Sequence, residues 1–326
     1  MTVFASASDP SWWERIFNFA NYGELLGLVH NSIIAGAVVG LVGGLISTFV
    51  IMRDLPFAVH GISELSFAGA AGALLLGASV IAGSLVGSIL AALVIGALGS
   101  RARDRNSIIG VLMPFGLGLG VLFLALYRGR AANKFGLLTG QIVAVDTTKL
   151  WALIAISAVV VVTLAILWRP LSFASVDPEL AAARGVPVGV LSPIFMLLLG
   201  FTVAMSVQII GALLVLSVIC TPAAAAVRVA SSPRTVTMLS MTFGFVSMVG
   251  GILLALGGSV PISPYVTTIS FLVYVACRVI AAVRVRRTRI AIVAARRHLP
   301  SAQATAPPAS PVPAPSSTRQ AASEPA

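Results

Sequence analysis

Apolar residues run in blocks of about 20 along most of the chain, and polar residues gather in the gaps between the blocks. A helix rises about 1.5 Å per residue, so each block is long enough to cross the roughly 30 Å hydrocarbon layer of a bilayer. The blocks fall at about 31–52, 57–78, 80–99, 107–127, 150–168, 190–206, 208–227, 236–257 and 264–283. They predict an all-α, polytopic transmembrane bundle of nine spans, or eight if two short blocks count as one. Small residues are dense inside the blocks, as at Gly36, Gly40, Gly43 and Gly44 and again at Gly69, Ala70, Ala71 and Gly72. They let backbones approach where lipid supplies little force driving helices together, which predicts tight helix packing.

The pattern changes at both ends. Residues 1–30 mix Trp12, Trp13, Phe17, Phe19 and Tyr22 with scattered charges, which suits an amphipathic segment at the membrane surface. No basic start followed by an apolar run and a small-residue cleavage site is present, so the segment does not read as a cleavable signal. Residues 284–326 begin with a basic run up to Arg297 and continue as a tract of Pro, Ala and Ser. That composition buries too little apolar surface to fold and predicts a disordered cytoplasmic tail. The expected organisation is thus an interfacial segment over 1–30, a membrane domain over 31–283 and a tail over 284–326.

Composition narrows the class further. Of 326 residues, 58% are hydrophobic and 10% charged, and the mean hydropathy is +1.03. Soluble domains carry roughly a quarter charged residues, so a soluble fold is excluded. The net charge of +11 does not point to nucleic acid, because Lys and Arg collect in the cytoplasmic loops of membrane proteins. Arg101, Arg103 and Arg105, then Arg169 and Arg184, then Arg228 and Arg234, then Arg278 to Arg297 lie in segments separated by pairs of spans. One face fits them all, which makes it cytoplasmic and puts the C-terminus there. The connection over 128–149, with Arg128, Arg130, Lys134 and Lys149, falls on the other face against this rule. Cys220 and Cys277 sit in apolar surroundings without CxxC spacing and read as core residues.

Ionisable groups inside a span are costly, so their default reading is functional. His60 and Glu64 are the clear cases, four residues apart and hence on one helix face. Glu64 would lie on the order of 16 Å beyond Arg53, close to the bilayer midplane. Imidazole and carboxylate on one face make a two-ligand half-site for Mn²⁺, Zn²⁺ or Fe²⁺, and two copies across a dimer axis would supply four ligands. The same pair could instead bond each other or a neighbouring helix as a polar latch, and spacing alone leaves both readings open. His30 reads as an interfacial side chain and His298 as part of the basic tail. No phosphate loop of the GxxxxGK[ST] type occurs, so ATP hydrolysis would need a partner chain. No nucleophilic triad, HExxH or paired acidic site emerges either, and the chain does not read as an enzyme.

Several stretches resemble the permeases of the bacterial manganese/zinc/iron ABC transporter family, in the family's order over about 31–283. Asn31 to Gly77, with the exit Phe49-Val50-Ile51-Met52-Arg53, looks like its first two spans. Asp104-Arg105-Asn106-Ser107-Ile108-Ile109-Gly110 and Phe135-Gly136-Leu137-Leu138-Thr139-Gly140 resemble two further family segments. The most specific match is Ser175-Val176-Asp177-Pro178-Glu179-Leu180-Ala181-Ala182-Ala183-Arg184-Gly185-Val186-Pro187-Val188, similar to the family's S-F-D-P-E-x-A-x-A-x-G-x-P-V. A second runs from Val207-Gln208 to Thr221-Pro222-Ala223-Ala224. At the family's intramembrane Asp and His, this chain has His60 and Glu64, the same chemistry in reversed order, with Ser63 kept and Ala68 in place of Pro.

The resemblance implies an ABC-importer permease that carries a divalent metal ion as cargo and holds no permanent cofactor. It assigns His60 and Glu64 to the metal, and Asp177, Pro178, Glu179, Arg184 and Gly185, within 174–188, to a coupling segment. Implied partners are cytoplasmic ABC ATPase subunits, an extracellular metal-binding lipoprotein, a second copy of the permease and membrane lipid, with no nucleic acid. Expected alternatives are a metal chelate as cargo, or a proton-coupled secondary transporter working through Glu64. The expected location is the plasma membrane.

Overall fold

The computed structural model describes residues 22–98, 102–129, 136–137, 145–257 and 261–298. The expected amphipathic segment is outside these residues up to position 21, as are the tail beyond 298 and most of the 135–140 loop. The helices are α1 (Tyr22–Leu28), α2 (His30–Met52), α3 (Pro56–Leu75), α4 (Val80–Leu98), α5 (Ala102–Leu126), α6 (Thr147–Val176) and α7 (Pro178–Ala183). They continue with α8 (Val188–Ile210), α9 (Val215–Ile219), α10 (Thr221–Val229), α11 (Pro233–Ala255) and α12 (Ile262–His298). Among the described residues, eight helices are long and apolar enough to cross a membrane. One compact unit extends to Ala281; the second begins at Ala282, and its described part is the helical stretch to His298 with exposed Arg286 and Arg287.

The glycines mark where helices touch. A Cβ on Gly40 would stand 2.6 Å from the Gly244 carbonyl oxygen, and a Cβ on Gly244 would meet the Gly40 carbonyl in turn. Along the same seam Gly36 faces Ile252, and Ser240 Oγ donates to the Gly44 carbonyl at 2.7 Å. Partners fall from 252 to 240 as positions rise from 36 to 44, so α2 and α11 are antiparallel.

The helix α3 is held just as closely on two sides. Gly69 and Gly83 abut each other's backbone and Gly87 abuts the Leu65 carbonyl, which locks α3 to α4. On its other side Gly116 and Gly120 of α5 receive Leu65 and Phe67. Close approach of this kind offers dispersion contact that bulky side chains would prevent.

The stretch read as one span over 208–227 is not a continuous helix. α8 ends at Ile210, Gly211 adopts φ +80°, and a short 3-10 turn, α9 and α10 follow, with a break at Cys220. A positive φ suits glycine, which has no Cβ to clash, and Pro222 has no N–H to give to a helix ladder. In an apolar layer the freed backbone groups need partners. Ser47 of α2 supplies one: its Oγ accepts from Ala223 N–H at 3.1 Å and donates to the Cys220 carbonyl at 3.5 Å.

This broken stretch still carries the chain across. α8 begins beside Arg53, at the end of α2, and finishes at the opposite end, where the Gln208 amide donates to the Val80 carbonyl. α11 must start back at the Arg53 end, because it is antiparallel to α2. The described chain therefore makes nine apolar passes, eight as long helices and one in pieces. Arg53, Arg105, Arg184, Arg228 and Arg234 share one end, here called the near end. Arg128 and Lys149 belong to the far end, where the order of spans places them and against the charge rule.

Candidate metal site and coupling segment

α3 begins at the near end with Leu55 as N-cap and Pro56 at the first helical position, where proline's fixed φ helps and its missing N–H is not needed. His60 and Glu64 follow on one face, with His60 Nε2 3.8 Å from Glu64 Oε1. That is too long for a hydrogen bond and leaves each group only loosely tied to the other. Glu64 is 5% exposed at its side chain and His60 28%. Gly116 of α5 packs against the Glu64 carbonyl carbon and Leu65, while Ile95, Ile109 and Met113 lie over Gly61. Ser63 does not reach either group, because its Oγ donates to the His60 carbonyl at 2.8 Å.

His60 Nδ1 and Glu64 Oε2 are both buried and have no hydrogen-bond partner. Buried polar atoms are almost always partnered, so two orphans on the two intramembrane ionisable groups call for an explanation. A polar latch would have used them; a bound cation would use them directly. Among the described residues no third His, Cys, Asp or Glu joins the pair. One chain therefore offers two donors where first-row metals take four to six, and water, a carbonyl or a second chain must complete the shell.

The segment expected to couple to an ATPase is a capped, exposed turn of helix. Asp177 Oδ1 accepts from Leu180 N–H at 2.9 Å, Pro178 opens the helix, and Glu179 lies in its first turn. At the other end Gly185, at φ +82°, lets its own N–H reach the Ala182 carbonyl and Val186 N–H reach the Ala181 carbonyl. This paired closure satisfies carbonyls that the short helix cannot. Only Ala181 is buried; Pro178, Glu179, Leu180, Arg184 and Gly185 face outward. His60 and Glu64, on α3, are not in contact with this segment.

Arg53 links them, a role its position at a span boundary did not disclose. Its Nε donates to Ser175 Oγ at 2.9 Å and its Nη1 to Ser192 Oγ at 3.3 Å, one residue on each flank of the coupling helix. The guanidinium also stands 5.1 Å over the Phe195 ring, which packs with Phe49 and, through it, Trp168. The turn Arg53-Asp54-Leu55 runs straight into α3, with Asp54 at φ +53°. A sequence signal existed in the serines on either side of Asp177-Pro178, but nothing in spacing tied them to Arg53.

The profile of the ABC 3 transport family matches residues 26–281. The manganese transport system membrane protein MntC of Listeria innocua is 30% identical over 227 residues, covering 69% of this chain and 81% of that protein. The high-affinity zinc uptake system membrane protein ZnuB of Haemophilus influenzae is 26% identical over 226 residues, covering 69% and 86%. Among solved structures, a chain of PsaBC from Streptococcus pneumoniae in complex with Fab aligns with a TM-score of 0.71 and 26% identity. That alignment covers 79% of this chain and 95% of the other.

Proposed function

We propose a route by which this chain, which belongs to the ABC 3 transport family and is a membrane-spanning transport permease, moves a divalent metal ion inward through His60 and Glu64. The observation that carries it is the pair of orphaned ligand atoms, His60 Nδ1 and Glu64 Oε2, buried on the one polar face of α3. Manganese and zinc are the cargo in the names of the relatives, and imidazole with carboxylate accepts either. The cargo is a substrate held briefly; no permanent cofactor is part of the reading.

ATP hydrolysis is assigned to separate cytoplasmic ATPase subunits that engage residues 174–188. Arg53 then transmits their motion, because a shift of Ser175 or Ser192 pulls on the turn that starts α3. A two-donor set supports a homodimer in which a second chain contributes to the path. A metal-binding lipoprotein would deliver the ion at the far end. The plasma membrane is the location, with the basic near end and the C-terminus in the cytoplasm, following the arginines at that end.

Uptake of manganese or zinc by cells carrying His60→Ala, Glu64→Ala or Glu64→Gln is the direct test. Each variant is expected to lose most uptake while the protein remains in the membrane at normal level. Wild-type uptake in all of them would remove the assignment of the pair.

A further inference from the structure

At the near end a cavity of about 450 Å³ opens between α2, α4, α5, α6 and α8. Arg53 and Arg105 both line it, with Ser175, Ser192, Leu55 and Val188. Among the described residues neither arginine is paired with a carboxylate. Arg105 Nε is buried without a partner. Arg53 uses two of a guanidinium's five donors on the serine hydroxyls, which are neutral, and so keeps its charge uncompensated. The acid on the lining, Asp54, is exposed and forms no ion pair with either guanidinium.

Two long helices also point their positive ends here. α3 starts after Leu55 and α8 after Pro187, neither with a side-chain cap. Pro56 has no N–H and the Val188 and Val190 N–H groups bond the Val186 and Pro187 carbonyls, so the helix dipoles contribute their positive ends here with few free donors. Two guanidinium groups and two helix starts around one cavity repel a cation and fit an anion. Burial, and then the nearby Arg105, lower the Arg53 guanidinium to about 10, a cost that a bound anion would relieve. The cavity is thus a poor exit for a divalent metal.

We propose that this cavity is a phosphate-binding site, occupied by the headgroup of an anionic phospholipid. The volume is in the range of small-ligand pockets. Apolar side chains close to the lining in sequence, Phe57, Leu98, Val176 and Val190, are strongly exposed and offer seats for acyl chains. Basic pockets between helices on the cytoplasmic side are suited to such headgroups. Because Arg53 also bonds the flanks of the coupling segment, a bound phosphate would stiffen the connection between that segment and α3.

The test uses the full chain purified in detergent and titrated with phosphatidylglycerol or phosphatidylcholine, with bound lipid counted by native mass spectrometry. Inorganic phosphate is added in a parallel thermal-shift arm. The wild type is expected to retain phosphatidylglycerol in preference to phosphatidylcholine. Arg53→Gln with Arg105→Gln is expected to weaken that retention roughly thirtyfold, as two basic groups at a membrane surface would. Lys149→Gln at the far end should leave it unchanged, and Arg53→Lys with Arg105→Lys should keep most of it. Arg105→Gln alone serves if the double variant misfolds, since it leaves both serine contacts of Arg53 in place.

Stabilisation by inorganic phosphate in the wild type and not in the double variant, without lipid preference, supports the site with a soluble source of phosphate. Equal lipid retention and equal phosphate response in wild type and Arg105→Gln overturns it. So does loss of the ATPase subunit in the arginine variants with lipid retention intact, which would make the cavity a protein contact.

Discussion

Ser47 shows how much a single hydroxyl can settle inside an apolar layer. It bridges the break at Cys220 by accepting from one strand of backbone and donating to the other. Ser47→Ala should leave the Ala223 N–H without a partner, while the Cys220 carbonyl keeps the Ala224 N–H at 3.1 Å, and should destabilise the protein by about 1–3 kcal/mol, read as a lowered Tm of the detergent-purified chain. Ser47→Thr retains the hydroxyl and should cost less, provided the added methyl is accommodated. His60 and Glu64 were legible in the sequence because charge in a span is rare enough to stand out. Arg53, Ser175 and Ser192 were not, because an arginine at a span boundary and serines beside a turn are ordinary. Their meaning comes from separations of 122 and 139 positions that local pattern cannot close.

At the scale of elements, most helices were readable from apolar runs, and the coupling helix from Asp177, Pro178 and Gly185, whose capping chemistry is local. The segment over 211–229 defeated the same reasoning because it is apolar nearly up to Arg228, with only Ser217 and Thr221 between; a hydropathy block cannot tell one helix from two held together by a serine on another. Gly185→Ala tests the closure of α7. Nothing stands within 4 Å of a Cβ there, so the expected loss of about 1–2 kcal/mol, read by thermal melting, would be purely conformational.

Helix seams give a sharper contrast. Gly40→Val would drive a side chain into the backbone at Gly244 and should lower the amount of folded protein recovered from membranes, because α2 and α11 must separate. Gly110→Ala meets nothing within 4 Å and should be neutral or mildly stabilising in the same measurement.

For the whole molecule the broken pass decides the topology. Nine passes put the ends of the membrane domain on opposite faces, whereas eight would put them on one. Single cysteines introduced at Ser79 and at Arg184, in a background where Cys220 and Cys277 are replaced by alanine, should react with an impermeant thiol reagent from opposite sides of sealed vesicles. Labelling of both from the same side would refute the far-end and near-end assignment. The arginine distribution made this arrangement readable in advance, while Arg128 and Lys149 on the far face stand as the exception.

The turn at Arg53, Asp54 and Leu55 bears on how force is divided. It is three residues long, and its arginine is fastened on both flanks of an outward-facing helix. A tug on that helix reaches α2 and α3 together, so the two cannot be addressed separately. One of them carries Ser47, six positions before the arginine, and the other carries His60, seven positions after it. On the roles proposed above, the bridged break at Cys220 and the His60–Glu64 pair would be driven by the same lever, and moving one without disturbing the other would require cutting the connection at Arg53.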